Sequence, residues 1–233
     1  MRLNNLFCLL IVIIPFISCS ARIDGSVFQD GSAVFSPDLS LGQRMTAMIR
    51  SMNSAGGQPD SLVLDGQAIA RSMSMDGITS VSFRNTAPAA VKGEIHVSDI
   101  NRFLNEGDKG GFINFQRRPA GGSCGISINL ESGKIILDSF SPEIADYLGA
   151  LMAPIATGEK LSKNEYLELV SMFYNRAISG EISSSRIVAV IEFPGAISSV
   201  AGGTFSGRRA EFDIPLLDLL VLDTPLYYEV IWK

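Results

Sequence analysis

Apolar and polar positions alternate with two different periods along this chain, and the period decides which elements to expect. Segments 21–28 and 32–39 read as strands, and Asp30-Gly31 between them signals a tight turn. Met45, Met48, Ile49 and Met52 fall at i, i+3, i+4 and i+7, one face of a helix that Gly56-Gly57 would end. A short helix over 67–75 carries Ile69 and Met73 on one face. Strands follow over 78–83, where Thr79, Val81 and Phe83 alternate with polar residues, and over 94–97. Ser98 is placed to cap a short helix reaching Leu104.

The middle of the chain is strand-rich. Segments 112–117 and 125–130 alternate, and Glu131-Ser132-Gly133-Lys134 reads as the turn of a hairpin returning over 135–137. Two helices come next. Ser141 caps the first, Pro142 opens it, Ile144, Leu148, Leu151 and Met152 form its apolar face, and Pro154 ends it. Ser162-Lys163-Asn164-Glu165 has the form of a capping box for the second. Its stripe is Tyr166, Leu169, Val170, Phe173 and Tyr174, and Gly180 is placed as its C-cap. Segment 186–193 is strongly β-forming up to Phe193-Pro194-Gly195. An edge strand is expected over 204–214, a short apolar segment over 216–222, and a closing strand at Leu226–Trp232. The expected fold class is α+β, a mostly antiparallel sheet with amphipathic helices packed on it.

One apolar run belongs to neither period. Residues 6–17 are almost wholly apolar, follow Arg2, and stop at Phe16-Ile17-Ser18-Cys19. The run is shorter than the ~20 residues that span a bilayer and fits the h-region of an export signal. Its end resembles the bacterial lipobox, in the relaxed form of spirochaete lipoproteins, with Phe16 where Leu is commoner. The resemblance implies a signal peptide at 1–18, cleavage before Cys19, and diacylglycerol and N-palmitoyl groups on Cys19. Residues 19–233 then form a single lipid-anchored extracytoplasmic α+β domain on the bacterial cell membrane, inner or outer.

Charge and cysteine content fit that expectation. The chain of 233 residues has a net charge of −5 and no dense Lys/Arg tract, which gives no support for a nucleic-acid partner. Cleavage removes one basic residue, Arg2, and no acid, leaving −6. Of three cysteines, Cys8 leaves with the signal and Cys19 carries lipid. Cys124 stays as a lone thiol with no disulfide partner.

Candidate chemistry elsewhere is thin. Gly121-Gly122-Ser123-Cys124-Gly125 matches the nucleophile elbow G-x-S-x-G literally. The elbow requires a following helix and a later His, whereas a strand is expected next and the single His, His96, comes earlier. A glycine turn between strands is the simpler reading. The chain contains no C-x-x-C, H-E-x-x-H, P-loop or dinucleotide fingerprint, so no cofactor or metal is expected. Met45, Met48, Met52, Met73 and Met75 cluster in one third of the chain, where methionine serves either as core filler or as the lining of an adaptable apolar groove.

The C-terminal run from Ala189 to Gly207, with Pro194-Gly195 followed by Gly202-Gly203, resembles the PG-x-V…G…G signature of LppM-like bacterial lipoproteins. The N-terminal order of lipobox, strand pair and amphipathic helix is similar as well. The resemblance implies an α+β envelope domain in contact with lipid or glycolipid, and it brings no catalytic residues. Usual members carry a transmembrane helix after the domain. This chain ends at Trp232-Lys233, so Cys19 would anchor it alone. Three roles stay open: a non-enzymatic domain binding lipid, an apolar ligand or an envelope protein; a structural or surface-exposed lipoprotein without small ligand; and an envelope hydrolase using Ser123 or Cys124.

Overall fold

The computed structural model describes residues 20–52, 62–73, 77–103, 113–118, 120–138 and 152–233. Cys8 and Cys19, the glycines at 56 and 57, Met75, and the helix expected from Ser141 to Leu151 lie outside them.

The described residues fold as α+β, with two sheets and a layer of helices. Strands β1 (Ser20–Val27) and β2 (Ala33–Ser40) pair antiparallel in register, Ser20 opposite Ser40 and Val27 opposite Ala33. The turn between them uses Gly31 at φ 86°, and the Asp30 carboxylate accepts the Ser32 amide at 2.9 Å. Strands β3 (Ile78–Ala87) and β4 (Ala90–Val97) form a second hairpin, and β4 pairs with β2. A register shift between Ile78 and Ser80 puts Thr79 on the exposed side, out of phase with Val81 and Phe83.

β1 also pairs with β7 (Arg186–Glu192), and this pairing is parallel. β10 (Arg209–Pro215) and the short β9 (Thr204–Ser206) complete a seven-stranded sheet ordered β3-β4-β2-β1-β7-β10-β9. The second sheet runs β5 (Ile113–Arg118), β6 (Gly121–Ile128), β11 (Leu226–Trp232), β8 (Ile197–Ala201). The edge strand expected over 204–214 is therefore a hairpin, β9 and β10. Segment 197–201 is a strand of the other sheet. The chain crosses between sheets at Gly202-Gly203, where Gly202 has φ 76° and a Cβ would meet the Tyr227 carbonyl at 2.8 Å.

The two sheets share one core. Val27, Val97 and Phe212 of the larger sheet cluster with Phe115, Val230 and Trp232 of the smaller. Trp232 stacks at a tilt against Phe115 (5.7 Å) and Phe193 (5.2 Å). Its indole needs backbone within reach on two sides. A Cβ on Gly122 would strike ring atom Cζ2, and one on Gly195 would meet Cδ1 at 2.8 Å. The Pro-Gly of the C-terminal run thus ends β7's extension and makes room for the tryptophan.

Part of the helical structure forms a second cluster at one end of the larger sheet. The described helices are α1 (Gln43–Met52), α2 (Gly66–Ser72), α3 (Ile100–Phe103), α4 (Leu130–Asp138), α5 (Ala153–Thr157), α6 (Lys163–Phe173), α7 (Arg176–Ser184) and α8 (Leu216–Val221), of which α2 packs on β3 and Ile100 of α3 joins the inter-sheet core. Met45, Tyr166, Val170, Ile178, Ile182 and Leu220 bury one another, joining α1, α6, α7 and α8. Each such side chain contributes about 1.5–3 kcal/mol through apolar burial.

Several elements differ from the sequence-based expectation, each for a local reason. The hairpin over 125–137 is strand β6 followed by helix α4. Asn129 and Ser132 exchange hydrogen bonds at the helix start, the Ser132 amide donating to Asn129 Oδ1 (2.9 Å) and the Asn129 amide to Ser132 Oγ (2.8 Å). Pro154 opens α5 rather than closing a helix. Gly180 is interior to α7. Helix α6 stops at Tyr174, and Asn175 caps α7 by accepting from the Ala177 and Ile178 amides at 2.9 and 3.0 Å. The capping box at α6 is present, Ser162 accepting from the Glu165 amide and Glu165 from the Ser162 amide. At α3 the Asp99 carboxylate takes the Asn101 amide (2.9 Å), while Ser98 donates to the Gly77 carbonyl (3.1 Å).

Candidate functional site

The residue with the sharpest sequence-based role, Cys19, lies outside the described residues, but its successor does not. Ser20 opens β1 opposite Ser40 on one side and Arg186 on the other. Ser40 leads into α1 through Leu41 and Gly42, and Arg186 directly follows α7 and Ser185. A tether at residue 19 would therefore leave the domain at the end of the sheet that carries the helical cluster.

That end is held by an acid that the periodicity conceals. Glu181 is 2% exposed, on the same stripe of α7 as Ile178 and Ile182. Its carboxylate accepts from the backbone amides of Arg44 (3.0 Å) and Met45 (3.1 Å), at the first turn of α1. It caps α1 from 136 residues away, with the favourable sign for the helix dipole. Gly42 is required beside it, because a Cβ there would strike the carboxylate. Removing such a buried acceptor costs about 2–4 kcal/mol. The sequence signal was an acid at i+3 of an apolar stripe, a position that only a buried partner makes tolerable.

The methionine question resolves for the residues whose side chains are described. Met45 is buried in the helical cluster and Met48 packs on it. Met73 packs against the inter-sheet core. These three fill core. The Met52 side chain lies outside the description.

Ser123 and Cys124 sit inside strand β6, not in a glycine turn. Both are buried. Cys124 lies in the inter-sheet core, and burial pushes its thiol up to about 12. Ser123, one residue earlier on the strand, points to the opposite face. His96 alternates with the core residues Ile95 and Val97, so its ring is on the outer face of the larger sheet. There its Nε2 meets Glu94 Oε1 at 2.6 Å. The fold brings neither Ser123 nor Cys124 to His96. Among the described residues no three His, Cys, Asp or Glu side chains are grouped to hold a metal ion.

Among the shallow depressions on the surface of the described residues are two to note. One, of about 480 Å³, lies on the outer face of the larger sheet between Asp24, Ser36, Glu192 and Arg209. This face carries ion pairs Arg22–Asp24 (2.7 Å), Lys92–Asp38 (2.8 Å) and Arg208–Glu192 (3.2 Å), the pattern of a solvated sheet face. The other, of about 600 Å³, runs along α6 and α7 past Leu167, Met172, Arg176 and Ser179. Beside it, α6 departs from the stripe expected of it. Tyr166 and Val170 are buried, but Leu169 is 38% exposed, Met172 77% and Phe173 76%. The helix thus has an apolar face beyond the one its own domain uses. Among the described residues no helix is long and apolar enough to cross a membrane.

No protein-family model matches the chain, and no curated protein matches it. Among solved structures it is similar to the folded domain of LppM from Mycobacterium tuberculosis, determined by NMR. The match has a TM-score of 0.42 and 9% sequence identity, and covers 92% of this chain and 89% of that one. At that level the likeness carries no weight for function.

Proposed function

We propose that the chain is a membrane-anchored bacterial lipoprotein, held by lipid on Cys19, whose domain works by binding rather than by catalysis. The observation that carries this is Phe16-Ile17-Ser18-Cys19 at the end of the apolar run 6–17 behind Arg2. Only a thiol at that point allows thioether attachment of diacylglycerol, and two or more acyl chains give a stable anchor at about 0.8 kcal/mol per buried CH₂. The start of β1 at Ser20 supports the reading, since structured chain follows the tether without a long linker. The burial of Ser123 and Cys124, away from His96, supports binding over hydrolysis. The ligand is lipid or an envelope partner.

The test is metabolic palmitate labelling of wild type and Cys19→Ala in a bacterial host. Wild type takes up label and fractionates with membrane, and Cys19→Ala takes up none. Label that persists in the variant sinks the anchor. Mass spectrometry of lipid co-purifying with the wild-type protein tests the binding role, and a domain that is consistently empty of lipid and of envelope proteins argues for a purely structural lipoprotein.

A further inference from the structure

The exposed face of α6 has the chemistry of a bilayer contact, and it stands at the pole from which the tether leaves. Leu169, Met172 and Phe173 are spaced i, i+3 and i+4, so they form one patch over the last turn and a half of the helix. This patch is not the stripe that holds α6 in the fold, which is Tyr166 and Val170. The next residues are Tyr174 and the cap Asn175, and then Arg176, exposed at the first position of α7.

The topology places the patch relative to the membrane. Helix α7 runs from that turn back to Ser184, and Arg186 then pairs opposite Ser20. The α6–α7 turn therefore projects about one short helix, roughly 14 Å, from the strand end next to Cys19. At the far end of β1, eight residues on, Phe28 is exposed on the opposite pole.

We infer that Leu169, Met172 and Phe173 rest in the interface of the bilayer that holds the Cys19 lipid, and so fix the orientation of the domain on the membrane. The inference rests on the lipid-anchor reading for which bilayer is meant. The occupant follows from where the chain outside the described residues joins the domain. Residues 1–19 enter at this pole, so a lipidated Cys19 brings a bilayer within reach of the patch. Shape and charge agree. Met172 and Phe173 are long and flexible or flat, as suits the acyl–headgroup boundary, and the Arg176 guanidinium can reach lipid phosphate while its stem stays among apolar groups. Glu168, one turn before Met172, is on the exposed side and stays in headgroup water.

The test uses the full processed chain, reconstituted in vesicles of phosphatidylethanolamine and phosphatidylglycerol, with bromine-labelled acyl chains as quencher. An indole is introduced by Phe173→Trp, and separately by Phe28→Trp as the far-pole control, with the buried Trp232 signal of wild type subtracted. The expected result is a blue shift and strong loss of emission for Phe173→Trp and no loss for Phe28→Trp. Loss at neither position, or equally at both, overturns the inference. A blue shift at 173 without quenching also overturns it, because a protein then covers the face. Palmitate labelling of the same preparations separates the two claims. Label present with no quenching at 173 leaves the anchor standing and removes the contact surface. Quenching at 173 in unlabelled protein keeps the surface and removes the anchor.

Discussion

Cys124 is buried in the core between the two sheets, and that setting governs its chemistry. Ser123 and Cys124 matched a catalytic motif letter for letter, yet the motif lies in a strand with its thiol in the core. The pattern could not show this, because glycines that serve turns also serve close packing, here around Trp232. The thiol makes a clear pH prediction. Its folded value is about 12, against ~8.5 for a free thiol, so folding favours the protonated form. That contribution is complete below the unfolded value and is lost as pH rises from about 8.5 towards 12. Wild type is therefore expected to lose stability above pH 9 more steeply than Cys124→Ala, by about 1 kcal/mol per pH unit, in urea titrations at pH 8 to 10. Burial also raises the Tyr166 phenol, which adds its own loss at higher pH in both proteins. Burial keeps the Cys124 thiol protonated at pH 8, so iodoacetamide should label it only under denaturing conditions. Rapid labelling of the native protein would contradict the burial.

At the scale of elements, period and capping signals read well where they were local and reciprocal. The capping box of α6, the Asp-Gly turn of the first hairpin and the closing strand are all where the sequence puts them. Errors came where two rules competed. Glu131-Ser132-Gly133-Lys134 has turn composition, but the Asn129–Ser132 exchange turns it into a helix start. Gly180 has the composition of a C-cap, but Asn175 ends one helix and begins another five residues earlier. The distinction is measurable. A glycine capping in the left-handed region would be harmed by a Cβ. Gly180 is helical and exposed, and a Cβ there meets nothing within 4 Å. Gly180→Ala is therefore expected to stabilise the domain by about 0.4–1 kcal/mol in a urea titration. A loss of similar size would place α7 wrongly.

For the whole molecule, the α+β class was legible because the two periods alternate along the chain. The topology was not. The parallel pairing of β1 with β7 joins residues more than 160 positions apart, and nothing local in either strand names its partner. The split into two sheets was hidden for the same reason, since β8 and β9 are consecutive yet belong to different sheets. The second sheet depends on the last element made. β11 lies between β6 and β8 and brings Val230 and Trp232 to the shared core. Deleting residues 226–233 is expected to abolish cooperative unfolding and leave a protease-sensitive chain. Retention of a wild-type melting transition would show that the sheets are independent. The same topology decides how the protein bears load. β1 is the middle strand of seven, and its first residue, Ser20, follows Cys19 directly. With lipid on Cys19, as proposed, a pull from the membrane would act along its length, while its ladders to β2 and β7 run across that direction. The bonds are strained side by side instead of opening one after another. A domain so held would resist drag like a bolt in shear, and the weakest link under tension would be the joint between Cys19 and Ser20.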